Sequence, residues 1–246
     1  MEVIAERSTK TVYRDGERTI KLFVENYSKS DILNEALNQA RVEETGLNMP
    51  KLLEVTKMEN RWALISEHIE GKNLQELMNE HPEKKDEYLD MFIDIQLNIF
   101  SKKAHMLNKI KDKMKRKIEE TELSETIKYD LFTRLESMPK HDKICHGDFN
   151  PSNIIIKEDG TAYVIDWAHV TQGNSSADAA RTYLLFNLEG KQGVAEEYLN
   201  KFSEKSGIEK VYIQKWIPIV AAAHLSKANA DEKEFLMKWI EVVDFE

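Results

Sequence analysis

The chain has 246 residues, a formal net charge of −9 and 41% hydrophobic residues. That length allows one large or two small domains with a sizeable core, and the acidic balance argues against general nucleic-acid binding while mildly favouring a cationic ligand. The one cysteine, Cys145, excludes an internal disulfide and suits a reducing cytoplasm, no apolar run has the length of a membrane span, and Met1–Glu6 lacks the basic start and apolar stretch of a secretory leader.

Residues 1–68 read mainly as strands with one helix. Thr11–Arg14 and Thr19–Val24 flank Asp15-Gly16-Glu17-Arg18, a hairpin signal. Residues 30–45 have helix-forming composition, with Ile32, Ala36, Leu37 and Ala40 available for one face, and Ser30 or Asp31 to cap the start. Gly46 and Pro50 close that helix. Leu52–Met58 and Trp62–Ser66 read as two further strands.

After Gly71 the texture turns to long helices. Residues 85–105 carry Leu89, Phe92, Ile95, Ile99 and Phe100 at helical spacing, and 106–118 continue with Leu107, Ile110, Met114 and Ile118. Another helix is expected over 124–138, and more near 176–189, 193–206, 209–228 and 231–243. Residues 102–117 hold eight Lys or Arg and one Asp112. Because the apolar stripe runs through them, they read as a solvated face of an amphipathic helix rather than a nucleic-acid patch. The acidic tail, Glu241 to Glu246, reads as a solvated terminus. No internal repeat or low-complexity linker is visible.

The helical pattern is interrupted by His146-Gly147-Asp148-Phe149-Asn150-Pro151-Ser152-Asn153, with Asp166 thirteen residues after Asn153. Residues 154–157 and 161–165 read as short strands joined by Glu158-Asp159-Gly160. That hairpin brings Asn153, before the first strand, close to Asp166, after the second, so both can reach one metal ion. Asp148 stands five residues earlier on a loop stiffened by Pro151 and bent at Gly147. Phosphoryl transfer from ATP needs such a set: a carboxylate for the attacking hydroxyl, and an amide oxygen with a second carboxylate for magnesium.

This stretch resembles the catalytic and metal-binding loops of the aminoglycoside phosphotransferase and choline kinase-like families, small-molecule relatives of the protein kinases. The resemblance covers nearly the whole chain. It implies an α+β, two-lobed protein-kinase-like fold: a β-rich nucleotide-binding lobe over residues 1–68 and a mainly helical catalytic and substrate-binding lobe over residues 69–246, with a hinge at 66–71. It also implies ATP or GTP in the cleft between lobes, with Mg2+. In this reading Asp148 is the base, and Asn153 and Asp166 hold the metal. Lys21, in the strand after the first hairpin, contacts the α- and β-phosphates, and Glu35, early on the helix, orients it; Glu43 and Glu44 compete for that role. The Glu67 carbonyl and Ile69 amide meet the adenine edge, with Ser66 at the back of the pocket. Asp178, in Gly173-Asn174-Ser175-Ser176-Ala177-Asp178, would brace the catalytic loop, although Asn174-Ser175 departs from the Asp-Pro of the family. His146, Cys145 and Trp167 read as structural.

One departure stands out. The phosphate-covering loop, within Ala5–Lys10, has no glycine, so Ser8, Thr9 and Lys10 would have to meet phosphate instead. The expectation is a cytoplasmic, ATP-dependent kinase acting on an aminoglycoside-, choline- or sugar-like hydroxyl, with a cationic acceptor favoured and no nucleic-acid or membrane partner. A protein Ser/Thr kinase is the alternative, disfavoured because no long activation segment with an Ala-Pro-Glu close is present. A nucleotide-binding regulatory module without turnover is another, suggested by the missing glycines.

Overall fold

In the computed structural model, residues 1–240 are described. In chain order the elements are β1 (Glu2–Glu6), β2 (Lys10–Asp15), β3 (Arg18–Phe23), α1 (Lys29–Glu43), β4 (Leu52–Met58), β5 (Arg61–Glu67), β6 (Lys72–Asn73), α2 (Leu74–Glu80), α3 (Lys85–Ser101), α4 (Ile110–Glu119) and α5 (Glu125–Ser137). They continue with β7 (Lys143–Cys145), β8 (Ile154–Ile156), β9 (Ala162–Val164), β10 (Thr171–Gly173), α6 (Ser175–Leu188), α7 (Gln192–Ser206), α8 (Lys210–Gln214), α9 (Ile217–Leu225) and α10 (Ala230–Ile240). The acidic tail and the end of the helix expected over 231–243 lie outside the described residues. No helix among the described residues is long and apolar enough to cross a membrane.

The chain divides into two compact units, the first made mainly of Met1–Lys85 and Pro151–His169, the second of Asp86–Lys103, Leu107–Asn150 and Val170 onward. The first unit is built on an antiparallel sheet of order β1-β2-β3-β5-β4. Gly16, at φ +60°, makes the tight β2–β3 turn. Strand side chains alternate between faces. Ile20, Leu22, Ala63 and Ile65 pack together on one face. On the other, Phe23 and Leu64 pack with Ile32 and Ala36 of α1. The helix cap differs from expectation: Ser28 is the N-cap, its hydroxyl accepting from the Asp31 N–H. Leu37 is exposed, and the buried face of α1 runs through Glu35, Asn38 and Gln39 as well as the apolar residues. Polar partners decide that choice, since the Gln39 amide donates to the Pro50 carbonyl at 2.8 Å.

A three-stranded sheet, β6-β8-β9, completes this unit. The hairpin expected after Asn153 is β8–β9, with Ile154 opposite Val164. It is tied to the loop after α1 by the Val164 N–H bond to the Asn48 carbonyl.

The second unit is helical apart from the small β7–β10 ladder. Its core is aromatic: Phe92 stacks on Phe149 at 4.5 Å between ring centroids and meets Phe186 and Tyr198 edge-on. Each fully buried ring contributes about 1.5–3 kcal/mol by burial alone. The single helix expected over 209–228 is two, α8 and α9, separated at Lys215–Trp216. Pro218 explains the break: it has no N–H to donate and is accommodated only in the first turn of a new helix. Leu107, Ile110, Met114 and Ile118 are all buried, so the apolar stripe of the basic segment packs inward as expected.

Candidate functional site

Two clusters carry chemistry, one in each unit. In the first, alternation along β3 puts Lys21 on the same face as Phe23, above α1. Glu35, three residues after buried Ile32, lies on the helix face turned to that strand. The Lys21 ammonium donates to Glu35 Oε1 at 2.7 Å and to Asp166 Oδ1 at 2.9 Å. Burial alone would lower the Lys21 pKa, but the Asp166 and Glu35 carboxylates outweigh it and hold the amine well above its ordinary value. Glu43, a competitor in the sequence, is engaged elsewhere, accepting from the Leu52 N–H at 2.6 Å.

The hairpin does for Asn153 and Asp166 what the spacing demands. The Ile165 N–H donates to the Asn153 carbonyl at 2.9 Å, so Asp166 follows directly. Asp166 has φ +63°, a left-handed backbone unusual for a residue other than glycine and tolerated by Asp. Its second oxygen lies 3.6 Å from Lys10 Nζ, so two ammonium groups share this carboxylate. Trp167 is buried and donates to the Val164 carbonyl, a packing role.

These groups line a cavity of about 320 Å³ whose walls all come from the first unit. Lys10, Lys21, Asn153 and Asp166 form its polar part, and Ile4, Val12, Ile69 and Ile155 are among its apolar walls. Ser66, Glu67 and Ile69 line it too. Of the residues expected at the nucleotide, Glu35, which bonds to Lys21, and Ser8 and Thr9 of the β1–β2 turn are not among its lining residues. The Glu67 N–H is taken by the Lys51 carbonyl and its carboxylate by the Lys51 N–H. His68 and Thr19, which the sequence did not suggest, are also in the wall, joined at 2.9 Å. The His68 pKa is lowered, by burial first and then by Arg14. The glycine-free loop is a tight turn between β1 and β2, closed by the Arg7 N–H bond to the Lys10 carbonyl. It sends Lys10 into the cavity where a glycine-rich loop would present amides.

The donor set fits Mg2+. An amide oxygen and a carboxylate are hard oxygen ligands, and this ion ordinarily keeps waters and phosphate oxygens for its remaining positions. No group of three or more His, Cys, Asp and Glu that could hold a metal occurs among the described residues.

The second cluster holds Asp148. Gly147, at φ +81°, turns the loop. Asp178, fully buried on α6, accepts from the His146 N–H at 3.0 Å and the Gly147 N–H at 2.7 Å. Burial pushes its pKa up, while His146 and these backbone bonds act the other way. This is the bracing the resemblance implied. The N-cap of α6 is a different residue, Asn174, whose side chain accepts from the Ser176 N–H, so Asn in place of Asp-Pro still starts the helix. His146 is buried and its Nδ1 accepts from the Asp148 N–H at 3.2 Å, which orders the loop. Burial pushes the Cys145 thiol well up, fitting an inert core residue.

A buried relay missed by sequence reasoning reaches the same loop. Tyr198 donates to Gln96, Gln96 to Thr182, and Thr182 to the Phe149 carbonyl. Gln96, on the apolar face of α3, was the readable signal, because a buried amide requires partners.

The arrangement of strands and helices is the protein-kinase-like α+β fold. Residues 2–212 match the family described as the phosphotransferase enzyme family, and the chain belongs to that family. It is therefore of the small-molecule kinase class that the sequence implied. Solved structures share the fold. A thermostable mutant of aminoglycoside phosphotransferase APH(4)-Ia, in ternary complex with ADP and hygromycin B, is 12% identical with a TM-score of 0.72, over 97% of this chain and 90% of that one. Aminoglycoside-3'-phosphotransferase of type VIII is 14% identical with a TM-score of 0.65, over 90% and 91%. Choline kinase LicA from Streptococcus pneumoniae is 16% identical with a TM-score of 0.59, over 97% and 92%. No curated protein matches the chain in sequence.

Proposed function

We propose that this protein transfers the γ-phosphate of ATP to a hydroxyl of a small molecule. The observation that carries the reading is Lys21 bonded to both Glu35 and Asp166 at the wall of a cavity that Asn153, Glu67 and Ile69 also line. In this reading residues 1–68 are the nucleotide-binding lobe and 69–246 the catalytic and substrate-binding lobe. Adenine lies against the apolar wall, with the Glu67 carbonyl and Ile69 amide at its edge. Lys21, held by Glu35, binds phosphate oxygens, and Lys10 supplies charge where the family uses glycine amides. Asn153 and Asp166 would hold Mg2+, which when bound neutralises phosphate charge.

Asp148 orients the acceptor hydroxyl and takes its proton as the acceptor oxygen bonds to the γ-phosphorus and the bond to the ADP oxygen breaks. Positioning and charge neutralisation supply most of the rate. The test is Asp148→Asn. MgATP binding should survive while transfer falls at least about a hundredfold, the usual contribution of a positioned base. Full transfer in that variant refutes the assignment. A nucleotide-binding module without turnover is the second reading, favoured by the glycine-free turn at Arg7–Thr9. MgATP binding with no transfer across a broad acceptor panel would establish it.

A further inference from the structure

Several groups around Asp148 have no part in that scheme. Arg181 follows Asp178 by three residues on α6, on the same helix face. It is 8% exposed. Its Nη2 lies 3.7 Å from Asp148 Oδ1, and its Nη1 is buried with no hydrogen-bond partner among the described residues. A guanidinium N–H buried in this way is costly unless something else meets it. His224, near the end of α9, likewise has a buried Nδ1 without a partner. Because α9 packs against both α4 and α6, Lys113 of α4 and Lys227, just past α9, come to the same region.

Their ionisation reports the crowding. Lys113 is pushed down to about 8 by burial and then by Lys227 and Arg181. The pKa of Lys227 is lowered by desolvation of its ammonium and then by Arg181. Carboxylates close by are committed: Asp178 to two backbone N–H groups, and Glu232 to the Asn229 N–H at 3.0 Å. Cations that disfavour one another's charge are relieved together by one anion.

Resting on the phosphotransferase reading, we propose that the acceptor carries an anionic group, a carboxylate or a phosphate, received by Arg181 through Nη1 with Lys227 and His224 around it. The net charge of −9 favours a cation at long range. Within roughly a Debye length, about 8 Å in physiological salt, the local cluster decides instead. The anionic group stays intact during transfer, since only the hydroxyl of the acceptor reacts, and serves to place that hydroxyl at Asp148.

Calorimetric binding distinguishes the possibilities. The full chain is titrated with inorganic phosphate, a hexose phosphate and glycerate on one side, and with choline and hygromycin B on the other; MgATP is titrated separately. At least one anionic probe should bind saturably and more tightly than either cation, and the phosphate and carboxylate arms identify which group is read. Arg181→Gln should weaken that binding by roughly tenfold or more, the scale of one charge-assisted hydrogen bond. Lys227→Met, at an exposed position, should weaken it several-fold and decides the matter if the Arg181 variant does not fold. Asp148→Asn should leave anion binding intact or tighter, since a competing carboxylate is gone. Tighter binding of choline or hygromycin B, no anion binding, or anion binding unmoved in Lys227→Met and Arg181→Gln overturns the proposal. Failure of MgATP to bind overturns the phosphotransferase reading, a separate result because the anion titrations contain no nucleotide.

Discussion

Lys21→Met tests the proposed nucleotide site at its centre. The substitution keeps the length and apolar stem of the side chain and removes the ammonium from between two carboxylates. At 2.7 and 2.9 Å the two contacts are as short as charge-assisted hydrogen bonds become. The side chains of Lys21 and Glu35 are 15% and 8% exposed, so solvent cannot replace the lost partner at Glu35. Asp166 keeps Lys10 at 3.6 Å and loses less. Breaking a buried pair on one side costs about 3–5 kcal/mol. For a chain of this size that is a fall in melting temperature of roughly 6–20 °C.

Stability alone does not prove function, so a double variant is decisive. Lys21→Met with Glu35→Gln removes the stranded charge as well. Urea unfolding should show most of the loss recovered, while calorimetry should show MgATP affinity still reduced by about tenfold or more, the value of a lost charge-assisted phosphate contact. If affinity recovers together with stability, Lys21 is a structural residue and the phosphate role is wrong. The pH dependence has a definite sign. Because the folded Lys21 pKa is raised, its contribution is complete below the ordinary lysine value of 10.5 and is lost only as pH rises through the folded value. Between pH 7 and 10 the gap in stability between wild type and Lys21→Met should therefore stay constant.

Asp178→Ala leaves the His146 and Gly147 N–H groups unpaired in the core, which costs about 2–6 kcal/mol for two buried donors; urea unfolding measures it, and transfer should fall with MgATP affinity unchanged. His224 is pushed down to about 3 by burial and then by Arg181 and Lys227, so it stays neutral in the folded chain while the unfolded chain protonates it below its ordinary value of 6.5. Stability should therefore fall as pH drops from 6.5 toward 3, by about 2 kcal/mol at pH 5, and His224→Gln should remove that component. Gly71→Ala places a methyl group against the Ile156 carbonyl at φ +156°, where β6 meets β8, so it should destabilise the chain by about 1–3 kcal/mol in thermal unfolding.

How far the chain could be read from its residues depends on the range of each interaction. The β8–β9 hairpin and the approach of Asn153 to Asp166 follow from a local pattern, and so they are visible in the sequence. Lys21 and Glu35 are one step harder, since strand alternation and helical period narrow the choice but Glu43 excludes itself only by bonding to Leu52. The ladders of β6 with β8 and of β7 with β10 are too short to make a pattern, and their existence depends on partners distant in sequence. The cluster at Arg181 is the extreme case. Lys113 sits in a run whose amphipathic reading assigns its charges to solvent, and for Lys103, Lys109, Lys115 and Arg116 that holds. The packing of α9 on α4 and α6 brings this lysine toward Arg181 and Lys227. Net charge is an average over the surface, whereas an acceptor is chosen by the few charges within reach of Asp148. An acidic chain in a family with aminoglycoside and choline kinases among its structural neighbours can therefore still be built to hold an anion.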